Sequence, residues 1–161
     1  MGGGYFEGGN ITPTAEFNIY VDPHAANTVL RCGRPIVMMP LDVTHRALMQ
    51  RKWLEGLRDI GSPVGDAVYG MMNFYERFDV EKYGSNGGPL HDPTVIAYLL
   101  IPELFKGRDV NVEIEIQSKL TLGMTVVDWW NVTDRKPNVT YFNKINSDGF
   151  FQLILDRLSL L

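Results

Sequence analysis

The chain has 161 residues, 45% hydrophobic and 21% charged, with a formal net charge of −4. That is apolar enough to bury a core and too apolar for a disordered chain, and the negative balance offers no basic field for nucleic acid or an anionic membrane. One cysteine, Cys32, excludes an internal disulfide framework and suits a reducing compartment. No apolar run nears the ~20 residues that span a bilayer, so a cytoplasmic single domain over 1–161 with no membrane contact is expected.

The opening Met1-Gly2-Gly3-Gly4 has neither the basic nor the apolar stretch of a secretory signal. Glycine clusters of this kind join a strand to a binding loop, so the chain reads as starting inside a longer element, with a loose leader as the other reading. Residues 10–18 are polar and turn-rich, and Pro13 excludes a central strand. Asp22-Pro23 then gives a cap followed by a first-turn proline, which predicts a helix through Arg31 that stops near Gly33. Residues 35–40 form a short apolar run bounded by prolines, as expected of a buried parallel strand. Asp42 or Thr44 is expected to cap a short helix through Met49, and 51–59 to form another.

After the break at Gly61-Ser62-Pro63, the apolar positions Val64, Val68, Met71, Met72, Tyr75 and Phe78 recur at helical spacing over 64–81. A glycine-rich stretch, Gly84-Ser85-Asn86-Gly87-Gly88, leads to Pro89-Leu90-His91-Asp92-Pro93. Asp92 before Pro93 predicts a capped helix over 93–101, limited by Pro102, with His91 at its mouth. Residues 110–116 alternate strictly and predict a half-exposed strand, with 123–130 as its antiparallel neighbour. A closing helix runs from Ser147 or Asp148, with Phe150, Phe151, Ile154, Leu155 and Leu158 facing inward. Helices between short apolar strands indicate an α/β fold, an open sheet with flanking helices.

In such sheets ligands collect at the carboxyl ends of strands. The loop over 8–18 holds Asn10, Glu16 and Asn18, and the later loop holds His91 and Asp92. Amides that donate and accept, with carboxylates that accept, suit a polyhydroxylated ligand. Phosphate is excluded, because neither loop has a Lys or Arg and the glycines match no phosphate-binding fingerprint. Cys32 lies in a predicted helix with no adjacent His and reads as a buried structural thiol. Thr44-His45 reads either as a second reactive pair or as a helix start facing structure, the latter favoured by Thr at a cap. Trp129-Trp130 reads as core or subunit contact.

Three stretches resemble the inosine–uridine-preferring nucleoside hydrolases: Gly8-Gly9-Asn10-Ile11-Thr12-Pro13-Thr14-Ala15-Glu16-Phe17-Asn18-Ile19-Tyr20-Val21-Asp22-Pro23, Pro40-Leu41-Asp42-Val43-Thr44-His45 and Pro89-Leu90-His91-Asp92-Pro93. The likeness continues in order through Thr125-Val126-Val127-Asp128-Trp129-Trp130. It implies hydrolysis of ribonucleosides to ribose and free base on an open α/β sheet with bound calcium. By motif match, Asn10, Glu16 and Asn18 would bind ribose hydroxyls, and Asp92 would be a calcium ligand that also touches the sugar. His91 would face the base and donate a proton to it, and Tyr75 would border the base.

The resemblance also implies calcium ligands and a general base from an aspartate-rich turn that this sequence lacks. Asp22, Asp42, Asp59, Asp66 and Asp79 are scattered and form no such run. The chain therefore resembles the C-terminal half of a nucleoside hydrolase, with an exposed sheet edge that invites pairing. On its own it is expected to release no base, or at most to bind a sugar or nucleoside weakly. The partners implied are the ribonucleoside and either a homo-oligomer or a complementing N-terminal half.

Overall fold

A computed structural model describes residues 1–83 and 87–161, with the backbone alone over 76–83. The expected packing of Phe78 and the loop residues Gly84, Ser85 and Asn86 lie outside the described residues. In chain order the elements are helices α1 (Phe17–Val21) and α2 (Pro23–Leu30), strand β1 (Val37–Met38), helix α3 (Leu41–Thr44), strand β2 (Leu48–Met49), helices α4 (Arg51–Asp59) and α5 (Pro63–Tyr83), strand β3 (Gly88–Pro89) and helix α6 (Pro93–Leu100). Strands β4 (Phe105–Val110), β5 (Val112–Ile114), β6 (Thr125–Val127) and β7 (Val139–Ile145) follow, and helix α7 (Ser147–Leu158) closes the chain. The α/β class expected from the sequence is the class found.

Two compact units divide the chain, the first formed by Met1–Val43 with Phe105–Lys144 and the second by Thr44–Leu104 with Ile145–Leu161.

In the first unit, β1, β7 and β4 lie side by side in that order, and β1 runs parallel to β7 with Val37 opposite Thr140 and Met38 opposite Tyr141. The β5–β6 pair is antiparallel, as the alternation predicted, with Glu113 opposite Val126. Val110, Val112 and Ile114 point into one apolar cluster with Ile19, Leu30, Met38, Val127, Val139 and Tyr141. This is what strict alternation produces when one face of a strand is buried. Asp22 caps α2 by accepting from Ala25 N at 2.8 Å, as its position before Pro23 predicted. Asn138 ties the unit together: its Oδ1 accepts from Val112 N at 2.8 Å, and its Nδ2 donates to the carbonyls of Val112 and Leu30.

In the second unit, α4 packs on α5 and α7, and Trp53 stacks on Phe151 with ring centroids 5.5 Å apart. Leu54, Leu57, Phe150, Phe151 and Leu153 are buried. Burial of such side chains contributes about 1.5–3 kcal/mol each relative to exposure. Strands β2 and β3 form a short antiparallel ladder, with Leu48 opposite Pro89 and Met49 opposite Gly88.

Several expectations are corrected. No helix runs from Asp42 or Thr44 to Met49; α3 ends at Thr44, and Leu48–Met49 is a strand whose partner lies forty residues on, beyond the reach of local pattern. Cys32 is exposed, because α2 has already ended at Leu30. On α7 the third fully inward residue is Leu153, while Ile154, Leu155 and Leu158 are half-buried at the rim. Residues 110–116 do not form one strand: β4 ends at Val110 and β5 begins at Val112. Strand β7 was not anticipated, its apolar residues being interleaved with Thr140, Asn143 and Lys144.

Candidate functional site

The glycine-rich start of the chain is fixed at the carboxyl end of β1. Gly2 N donates to Met39 O at 3.1 Å, and Leu41 N donates to Gly3 O at 2.8 Å. Gly3 has φ +80, and a Cβ there would lie 2.8 Å from Thr125 Oγ1, so both its backbone and its surroundings require glycine. From this strand end the chain enters a tight loop around the Ala15 carbonyl, which accepts from the amides of Asn10, Ile11 and Thr12 at 3.2–3.4 Å. A Cβ on Gly9 would fall 2.2 Å from Thr12 O and 2.4 Å from Ala15 O, which leaves no room for a side chain.

That loop brings Asn10, Glu16 and Asn18 together at the start of α1. Asn10 Oδ1 accepts from Phe17 N at 2.9 Å. Glu16 is the N-cap residue, 2% exposed, and its Oε2 accepts from both Asn18 N and Gly3 N at 3.0 Å. Both bonds fall on Oε2, which leaves Oε1 for another donor. Asn18 is exposed, and its Nδ2 donates to Met1 O at 3.3 Å. Two of the three residues thus cap a helix, a local role that shapes the group and fixes the direction of its polar atoms.

Asp42, on α3, stands behind the glycine segment and was read from sequence as a helix cap. It is 1% exposed and accepts from Tyr5 N at 3.1 Å, Glu7 N at 2.7 Å and the Tyr141 hydroxyl. Tyr141 is itself fully buried, and burial first, then the Asp42 charge and their hydrogen bond, push its phenol far above the ordinary tyrosine range.

The second unit holds Tyr75, His91 and Asp92. Tyr75 lies on α5 and is exposed. The β2–β3 ladder continues through Leu90 N to Ala47 O at 2.9 Å, and so carries His91 alongside the end of α3. There His91 Nδ1 lies 2.8 Å from Thr44 Oγ1, and the His45 ring is 5.8 Å from the His91 ring. Thr44 is 0% exposed. The Thr44-His45 pair, read as a helix start, is instead gathered against His91 by a strand pairing that no local spacing signals.

The expected side-chain cap by Asp92 does not form. Its backbone is helical, with φ −65 and ψ −36, whereas a capping side chain needs an extended backbone. The first turn of α6 closes on the His91 carbonyl instead, which accepts from Thr94 Oγ1 at 2.6 Å and Thr94 N at 3.2 Å. The Asp92 carboxylate is therefore exposed and not spent on the helix. It borders an apolar groove of about 540 Å³ lined by Val68, Met72, Ile96 and Leu100 among others.

A calcium ion needs six to eight oxygens. Among the described residues no group of three or more His, Cys, Asp or Glu could hold a metal ion, and Asp92 alone brings two oxygens. The described residues alone do not supply that coordination.

Residues 1–152 match the family model of the inosine-uridine preferring nucleoside hydrolases. An uncharacterized protein of Schizosaccharomyces pombe is 48% identical over 161 residues, covering 100% of this chain and 52% of that protein. The pyrimidine-specific ribonucleoside hydrolase RihA of an Enterobacter species is 49% identical over 158 residues, covering 98% of this chain and 50% of that one. Among solved structures, a purine-preferring ribonucleoside hydrolase from Gardnerella vaginalis superposes with TM-score 0.88 at 28% identity, over 99% of this chain and 50% of that one. A plant nucleoside hydrolase, PpNRh1, gives 0.87 at 28% identity, over 99% and 52%. The chain spans about half the length of the curated relatives it matches.

Proposed function

This chain belongs to the inosine-uridine preferring nucleoside hydrolase family, and on that premise we propose that it carries part of a ribonucleoside N-glycosidase site. Asn10, Glu16 and Asn18 hydrogen-bond ribose hydroxyls, Asp92 touches the sugar, Tyr75 borders the base, and His91 donates a proton to the base as it leaves. The reaction breaks the C1′–N bond with its electron pair going to the base, and a proton from His91 neutralises that charge. The electron-poor sugar left behind is oxocarbenium-like, which nearby carboxylates stabilise, and water forms the C1′–O bond and releases a proton to give ribose. Uridine is the first substrate to test, from the name of the 49% identical relative, with inosine beside it.

The observation that carries this reading is His91 itself: a half-buried imidazole whose Nδ1 lies 2.8 Å from Thr44 Oγ1, beside a carboxylate that its helix does not use. No step is routed through calcium, since the described residues do not make its site. That mismatch favours a second reading for the chain by itself, weak binding of a sugar or nucleoside without turnover. A complementing partner, the half of a relative that this chain does not match, is supported by α6, whose Ile96, Leu99 and Leu100 are 58%, 71% and 50% exposed.

The test is release of base from uridine and inosine with calcium, by the chain alone and mixed with the unmatched half of RihA. The chain alone is expected to be inactive and the mixture active. In the mixture His91→Ala is expected to lower kcat by about 10²–10⁴, the usual contribution of a positioned general acid. A mixture in which His91→Ala equals the parent rejects the proton-donor role, and turnover by the chain alone rejects the need for a partner.

A further inference from the structure

The geometry points to Thr44 as the positioning residue that fixes which nitrogen of His91 carries the proton. The proposal rests on His91 being the group that faces the departing base, and concerns how that ring is prepared. Thr44 Oγ1 and His91 Nδ1 are 2.8 Å apart, a distance that fits donation in either direction. What selects the direction is the burial of Thr44. Its side chain is 0% exposed, and among the described residues its hydroxyl has one hydrogen-bond partner, His91 Nδ1.

If Nδ1 carried the proton, Thr44 would accept it and its own O–H would be buried with nowhere to point. If Nδ1 is bare, Thr44 donates to it and that donor is satisfied, at the cost of an unused lone pair on the hydroxyl. An orphaned buried donor is the costlier arrangement. The neutral ring is therefore held with its proton on Nε2, the nitrogen facing away from Thr44. A neutral ring held this way presents its Nε2–H to a departing base as a hydrogen-bond donor, and the proton itself is handed over once Nδ1 has also taken one up to form the imidazolium; neither step needs the ring to turn over.

The rest of the surroundings restrain the ring in the same pose. The His91 carbonyl is held by Thr94 Oγ1 and N, so the backbone beneath the ring is part of the first turn of α6. The β2–β3 ladder fixes the approach of residue 91 to residue 44, because a one-residue slip would turn His91 to the other face. His45, with its ring centroid 5.8 Å away, packs near the imidazole and limits its swing.

The experiment is a long-range proton–nitrogen correlation spectrum of the 161-residue chain at pH about 8.5, where a histidine of ordinary pKa is neutral. The chain has 3 histidines, so His24→Gln and His45→Gln assign the His91 ring signals. The expected wild-type pattern is a protonated Nε2 with a bare Nδ1 at the upfield-shifted position of a nitrogen that accepts a hydrogen bond. Thr44→Val keeps the shape and removes the hydroxyl, and should move the Nδ1 signal downfield; Thr44→Ser should restore it. A wild-type Nδ1 that carries the proton overturns the proposal, and that measurement needs no variant to fold. An Nδ1 shift unchanged in folded Thr44→Val overturns it as well. The spectrum is independent of turnover, so loss of the proton-donor reading in the His91→Ala assay and loss of this one are separate results.

Discussion

Replacement of Asp42 by alanine tests how the first unit holds its glycine segment. The carboxylate is 1% exposed and takes the amides of Tyr5 and Glu7 and the hydroxyl of Tyr141. Tyr141 is fully buried, so its hydroxyl would be left without an acceptor, costing about 1–3 kcal/mol. The amides belong to a half-buried tyrosine and an exposed glutamate, where water can replace the carboxylate, so each loses about 0.5–1.5 kcal/mol. The sum for Asp42→Ala is about 2–6 kcal/mol, which brackets the range for breaking a buried charged network. Tyr141→Phe removes the same hydroxyl while leaving the carboxylate its two amides, at about 1–2 kcal/mol. Urea unfolding of both variants and the double mutant gives the coupling between them. The double mutant has no orphaned hydroxyl, so it should be less destabilised than the sum of the singles by about 1–2 kcal/mol. Strict additivity would refute the reasoning, because it would mean that the phenol and the carboxylate do not depend on each other.

Three further outcomes follow from the same geometry. Gly9→Ala should lower the melting temperature by several degrees and disturb the loop around Asn10, since the backbone atoms that its Cβ would meet cannot rotate away; thermal unfolding followed by circular dichroism checks it. The raised phenol of Tyr141 stays protonated in the folded chain while its unfolded counterpart ionises near pH 10, so its contribution is whole below about pH 10 and declines as pH rises beyond it. Urea titrations across that range should therefore show a steeper alkaline loss of stability for the parent than for Tyr141→Phe, and parallel curves would contradict the assignment. Millimolar calcium should leave the melting temperature of the chain unchanged, because a ligand stabilises only in proportion to its binding of the folded state; a rise of several degrees would reveal a cation site.

Much of the fold is legible where a rule is local. Asp22-Pro23 specifies a helix start through the chemistry of two neighbouring residues, and the alternation of Val110, Val112 and Ile114 specifies a buried face through the two-residue period of a strand. The paired motifs around Asn10 and His91 were visible as polar groups that a sugar could use. Asp92 was misread because Asp before Pro is usually a cap, and nothing in the dipeptide reports that the backbone at 92 is already helical. Cys32 was misread by a general preference of thiols for the interior, when two residues of helix end decided its exposure.

The sequence by itself determined the α/β class, the family, and the identity of the polar groups, since these depend on residue types at short spacing. Tertiary structure decided what those groups do. Asp42, expected at a helix start, became the buried acceptor for Tyr141, 99 residues away. Thr44, expected beside it, became the partner of His91, 47 residues away. Both pairings depend on strand register and on burial, which makes an unsatisfied hydroxyl costly, and neither property exists until distant segments meet.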